Sequence, residues 1–187
     1  MTSDSPAADA PSARDRILRT AHDLFYRDGV RATGIDRVIA ESGVAKVTFY
    51  RHFPSKNDLI RAYLDYRHQR WLAWFADAMA RHGGGPEAIV PAVGEWLRDP
   101  GYRGCAFINS VGELAGSLPE VVGIARAHKA DVAAAIAAVL PASRLRAKRA
   151  QAIALAIDGA IVRAQFDETP DVALDALKRI VKSLLKE

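Results

Sequence analysis

The sequence predicts an all-α protein of about nine helices, and three observations carry that reading. Apolar residues recur at three- and four-residue steps through most of the 187 residues. Alanine is abundant while β-branched runs are short and scattered, so local propensity leans the same way. The breaks between periodic segments fall at glycine, proline, serine and threonine, the residues that suit helix ends. No segment reads convincingly as a strand, and there is no internal repeat.

The elements follow in chain order. Ile17, Leu18, Ala21, Leu24 and Phe25 make the apolar face of a first helix, with Ser12 or Asp15 as its cap and Gly29 as its stop. Thr33 is placed as N-cap of a second helix carrying Ile35, Val38, Ile39 and Ala40. Its spacing to Asp36 imitates a capping box with a shorter acid. Gly43 ends that helix. A short third helix covers about 45–52, Pro54 stops it, and Ser55 caps the next. The fourth helix is long, about 56–81, and Gly83-Gly84-Gly85-Pro86 breaks it. Helices over about 87–97, 105–114, 120–139 and 144–166 follow. Thr169-Pro170 makes the last turn before a ninth helix with Leu177, Ile180, Val181, Leu184 and Leu185.

Half of the residues are hydrophobic, enough for a core in one or two domains. A net charge of +4 and a pI near 9.4 permit a nucleic-acid partner without demanding one. The one cysteine, Cys105, excludes an internal disulfide and a cysteine-based metal site. It is expected to be a buried inert thiol, which suits a reducing cytoplasm. No run of about 18 apolar residues is present, so no membrane span is expected. The Ser-, Ala-, Asp- and Pro-rich start, 1–11, lacks the pattern of a signal peptide and reads as a disordered tail.

The segment richest in chemistry lies between the second and third helices. Two short helices meet at Glu41-Ser42-Gly43-Val44, where glycine permits a sharp turn, and Val38, Ile39, Val44 and Phe49 can close a small core. That is a helix-turn-helix, whose second helix enters the DNA major groove. From Gly43 to Lys56 there are three cations (Lys46, Arg51, Lys56) and no acid. Lys46, Val47 and Thr48 sit in the first turns, where base edges would be reached. Tyr50 and His52 sit further on, where phosphate oxygens are met, and Lys56 opens the next helix, whose N-terminus also attracts phosphate. Arg51 belongs to the same basic segment, and Thr33 is a cap that could also hold a phosphate. Phe49 and Phe53 are expected in the core.

Here the chain resembles the tetracycline-repressor (TetR) family of bacterial regulators. The resemblance runs from Arg16-Ile17-Leu18 through Leu24-Phe25, Gly29 and Thr33. It continues through Gly43-Val44-Ala45-Lys46-Val47-Thr48-Phe49-Tyr50-Arg51-His52-Phe53-Pro54-Ser55-Lys56 to Asp58-Leu59. It covers about residues 14–60. Ala45 stands where the family often has Ser, which removes a hydroxyl contact to DNA. Val47 stands where a small residue is common, and its branched side chain could touch a thymine methyl. Both differences bear on the operator sequence and not on the fold. The implied organisation is a tail over 1–11, a helix-turn-helix domain over 12–54, and a helical ligand-binding and dimerisation domain over 55–187.

The resemblance implies that the larger domain binds a small-molecule effector and forms a homodimer. The candidate lining is Trp71, Trp74, Phe75, Trp96 and Phe107, although aromatics at helical spacing equally suit plain core. Asn109 and Glu113 are four apart and share a face, and His128 and Asp158 interrupt apolar helices. Each needs a partner, which could be a ligand, another side chain or water.

The eighth helix is apolar almost all round. Ile153, Ile157 and Ile161 form one stripe, and Leu155, Gly159, Val162 and Phe166 another. The second stripe, with Ala156 and with Leu177 of the ninth helix, is the candidate dimer interface; a fully internal helix is the alternative. The implied function is a dimeric repressor on a palindromic double-stranded operator, released when a ligand moves the fourth helix. No nucleophile–base pair, metal motif or phosphate loop points to an enzyme, so no cofactor or metal is expected. The alternative is a helical small-molecule-binding protein with no role on DNA.

Overall fold

The computed structural model describes residues 11–186. The tail expected over 1–11 therefore lies outside the described residues but for Pro11. Nine α-helices and a single 3₁₀ turn, Pro86–Ala88, make up the described secondary structure, with no strand among these residues. None of the described helices is long and apolar enough to cross a membrane. Backbone contacts divide the chain into two compact units, Met1–Tyr63 and Leu64–Glu187.

The first unit holds α1 (Ala13–Asp28), α2 (Ile35–Ser42), α3 (Lys46–His52) and the opening turns of α4 (Lys56–Arg81). The Ser12 hydroxyl accepts the Asp15 N–H at 3.1 Å, which caps α1, and Gly29 closes it. The apolar face read from the sequence is buried, and α1 packs against both α2 and α3. Val38, Phe49, Phe53, Leu59 and Tyr63 complete this core, with Tyr63 edge-on to Phe25 at 5.3 Å.

The expected cap of α2 is corrected. Gly34, not Thr33, is its N-cap, and no side chain caps it. The Thr33 side chain is fully buried and its hydroxyl donates to the Gly29 carbonyl at 2.8 Å, so the turn between α1 and α2 uses it. Asp36, freed of any capping role, lies on the surface within 3.5 Å of Lys46.

The second unit holds the rest of α4, then α5 (Ile89–Leu97), α6 (Ala106–Leu114), α7 (Glu120–Val139), α8 (Arg146–Arg163) and α9 (Asp171–Lys186). Pro86 opens a 3₁₀ turn, so the fifth helix starts at Ile89, later than expected. α8 packs against α7 and α9, α6 against α7, and α5 against α9. A Cβ on Gly94 would lie 3.3 Å from Leu174, so glycine sets how closely α5 meets α9. The two stripes of α8 separate cleanly. Ile153, Ile157 and Ile161 are buried, while Leu155 is 73% and Phe166 66% exposed and Val162 is also exposed.

Leu177 does not belong to the outer face. It is 1% exposed, in line with Leu174 and Val181 on the inward side of α9, whose amphipathic period was not resolved into faces from sequence.

Candidate functional site

The helix-turn-helix is built by one turn of backbone. Gly43 ends α2 in the left-handed region, φ 65 and ψ 30, a conformation that disfavours any residue with a Cβ. Ala45 then starts α3 from extended backbone. Phe49 and Phe53 point inward and are buried, which fixes what the rest of α3 presents. Val47 is 79% and Tyr50 41% exposed; Lys46 and Arg51 are exposed, and Thr48 and His52 partly so.

Next to α3, the Ser55 hydroxyl accepts the Asp58 N–H at 3.2 Å and donates to the Asp58 carboxylate at 2.6 Å. This cap sets Lys56 at the first position of α4. The face therefore combines cations, a phenol hydroxyl and an exposed apolar side chain, with no acid of its own on α3. The Lys46–Asp36 contact is solvent-exposed and holds Lys46 only weakly. Seven of the eight sequence candidates for DNA contact thus lie on this accessible surface or its edge, and Thr33 does not, because its side chain is inside.

The second unit contains a small hollow with about 10 Å³ of free space, lined from α4, α5, α6, α7 and α8. Trp71, Trp96, Phe107, His128 and Asp158 from the candidate set meet there. Four candidates do not line it. Phe75 is core, stacked on Trp71 at 5.0 Å. Trp74 lies behind, 6.1 Å from Trp71. Asn109 donates to the Arg103 carbonyl at 2.9 Å, which ties down the loop before α6, and Glu113 is half-buried away from the hollow.

Arg67 and Lys129, which the sequence did not single out, bring charge to the lining, and Cys105, Ala106, Val132, Ile157 and Ile161 complete it. Lys129 donates to the Asp158 carboxylate at 2.5 Å and to the Cys105 sulfur at 3.5 Å. Nothing local in the sequence signals a pair 29 positions apart. His128 stacks on Phe107 at 3.7 Å, and its Nδ1 lies 3.0 Å from Nδ1 of His68. Burial, then the charges of Lys129, His68 and Arg67, push its pKa down to about 3, so the ring is neutral at pH 7. No group of three metal-ligating side chains occurs among the described residues.

Residues 17–63 match the sequence model described as bacterial regulatory proteins, tetR family. A helix-turn-helix-type transcriptional regulator of Staphylococcus aureus is 43% identical over 51 residues, 27% of this chain. That match spans 28% of the relative's own length. The whole fold is shared more widely. A TetR-family transcriptional regulator from Streptomyces coelicolor superposes with a TM-score of 0.80 at 29% identity, covering 93% of this chain and 94% of that one. A tetR-type regulator from Streptomyces avermitilis gives a TM-score of 0.72 at 28% identity, covering 94% and 97%. The recognition unit is thus similar in sequence to the tetR family of bacterial regulatory proteins, and the nine-helix architecture of the described residues is shared with TetR-family regulators of known structure.

Proposed function

We propose that this protein is a DNA-binding transcriptional repressor that acts as a homodimer and leaves its operator when a small molecule binds the second unit. The observation that carries the reading is the outer face of α3, which is exposed and cationic while Phe49 and Phe53 anchor its back. Lys46, Val47 and Thr48 are assigned to base edges in the major groove, and Tyr50, Arg51, His52 and Lys56 to phosphate oxygens. Two copies of α3, related by a two-fold axis, would read two half-sites of a palindrome.

The dimer is assigned to the outer faces of α8 and α9. Leu155, Gly159 and Val162 from α8, half-buried Ala156 beside them and Phe166 in the turn after α8 join Val172 and Ile180 from α9 in an apolar surface exposed in a single copy. Exposed apolar patches of this kind mark interaction surfaces. The effector is assigned to the hollow around Trp71, Trp96, Phe107, His128 and Asp158. α4 starts at Lys56 and supplies Arg67 and Trp71 to the hollow, so a ligand that prefers a different placement of this helix would shift the equilibrium away from the DNA-bound form. A cytoplasmic location follows from this role.

The test is fluorescence anisotropy with labelled DNA from immediately upstream of the protein's own gene. The expected result is saturable, sequence-dependent binding that weakens steeply with salt. Binding with no preference over scrambled DNA would remove the assignment and favour a helical small-molecule-binding protein.

A further inference from the structure

We propose that the hollow in the second unit receives a small aromatic carboxylate, with the carboxylate held at the start of α6 by the indole N–H of Trp71 and by Lys129. The regulatory meaning of this site rests on the effector reading above; its chemistry does not.

The first observation is the open N-terminus of α6. Its N-cap residue is Cys105, with extended backbone at φ −85 and ψ 116, and no side chain caps the helix. The leading N–H groups of a helix have no acceptor within it, and the helix dipole favours negative charge there. Cys105, Ala106 and Phe107, the first residues of this helix, line the hollow.

The second observation is independent of the first. Trp71 is 7% exposed and also lines the hollow, and its Nε1–H has no hydrogen-bond partner. Only one other buried side-chain nitrogen or oxygen among the described residues, Nε of Arg149, shares that condition. Buried donors are nearly always paired, so an unpaired one at a cavity wall calls for an acceptor.

The charges agree. Lys129 pairs with Asp158, the one carboxylate of the lining, Arg67 lines the same hollow, and His128 is held neutral by burial and by the charges of Lys129, His68 and Arg67. Lys129 uses two of its three N–H groups on Asp158 and Cys105. Asp158 repels a second carboxylate, and against it stand two cations, the helix start and the indole N–H. A cationic ligand would face Arg67 and Lys129, and a purely apolar one would leave the Trp71 donor unanswered. The remaining walls are flat. Trp71 meets Trp96 edge-on at 5.6 Å, and Phe107 stacks on His128, so the walls around a ring bearing the carboxylate are largely aromatic.

The free space of about 10 Å³ has room for roughly one water. An aromatic ring therefore requires these walls to part. Binding selects a wider arrangement than the one described, and that difference is what a regulatory ligand needs.

The test uses the full chain without DNA, titrated with benzoate, benzamide and benzylamine and followed by tryptophan emission. The three tryptophans all serve as reporters, because Trp71 and Trp96 line the hollow and Trp74 lies 6.2 Å from Trp96. Benzoate is expected to give a saturable change at least tenfold tighter than benzamide, and benzylamine none. Trp71→Phe keeps the ring and removes the N–H, and should weaken benzoate at least fivefold by calorimetry. Lys129→Gln removes the cation assigned to the carboxylate and leaves the repelling Asp158 in place, and should do the same if Trp71→Phe fails to fold. Benzamide binding as tightly as benzoate, no saturable response to benzoate, or a folded variant that binds benzoate as the parent does overturns the proposal. A parallel titration of the unliganded protein with its upstream DNA separates the two readings. DNA binding without benzoate binding sinks the carboxylate site alone, and benzoate binding without DNA binding sinks the regulator reading alone.

Discussion

Tyr50 and Lys56 lie outside the core that Phe49 and Phe53 fill, so both are replaceable without loss of core. The double change Tyr50→Phe and Lys56→Ala should therefore leave the melting temperature within a few degrees of the parent. It should weaken operator binding by about tenfold or more, since each hydrogen bond to a charged group is worth about 1.5–3 kcal/mol. Unchanged affinity in anisotropy would refute the phosphate assignment. His128 supplies a pH dependence of stability. Its folded pKa lies near 3, below the ordinary value of 6.5, because burial and neighbouring cations disfavour the imidazolium. The unfolded chain takes up this proton below pH 6.5 and the folded one does not. The stability present above 6.5 is thus lost as pH falls toward 3, with a slope approaching ~1.4 kcal/mol per unit. Urea unfolding at pH 7 and pH 5 should show a smaller loss in His128→Phe than in the parent. Histidine and aspartate inside apolar runs were visible in the sequence, and both reach the hollow. Their real partners, Lys129 and His68, were not, because pairing across α4, α7 and α8 is a property of helix packing and leaves no local pattern.

At the scale of elements, α2 and α3 depend on one backbone conformation. Gly43 has open space where a Cβ would go, so the effect of Gly43→Ala is purely conformational. It should cost about 1–2 kcal/mol, the ordinary strain of a left-handed residue with a side chain, and should appear as a lower denaturant midpoint with an unchanged slope. On α8, Leu155 lies on the face assigned to a second copy. Leu155→Glu places a charge there without touching Ile153, Ile157 or Ile161. Light scattering at micromolar concentration should read the parent as a dimer and the variant as a monomer with the same helical content. A monomeric parent would reject the interface. The division of α8 into stripes was legible because 3.6-residue periodicity is a local property. Its outcome on α9 was less so. Leu177 and Ile180 are three apart, near enough to share a broad apolar surface, yet one is buried and the other exposed. Thr33 shows the same limit at a helix start. Its spacing to Asp36 met the capping pattern, but the Gly29 carbonyl lay in reach of the hydroxyl and took it.

For the molecule as a whole, the proposed dimer brings six cations of the recognition segment to DNA, three from each copy: Lys46, Arg51 and Lys56. Four of these, Arg51 and Lys56 of each copy, are assigned to phosphates, so release of condensed counterions should give a log–log slope of operator affinity against salt of about −4, and Lys56→Ala should reduce its magnitude by about 2, one phosphate per copy. A slope near zero would contradict phosphate anchoring altogether.

The sequence by itself determined the helical class, the positions of most helix ends and the recognition segment from Gly43 to Lys56. These rest on periodicity, turn residues and a compact motif, which are all properties of neighbours along the chain. Only the tertiary structure decided that Thr33 is interior and that Leu177 faces the core. It also decided that Trp71, Lys129 and the start of α6 converge on one small hollow. Those outcomes depend on which helix covers which face and on which polar atoms are left without a partner once packing is complete. Such facts belong to contacts between distant segments, and no stretch of sequence contains them alone.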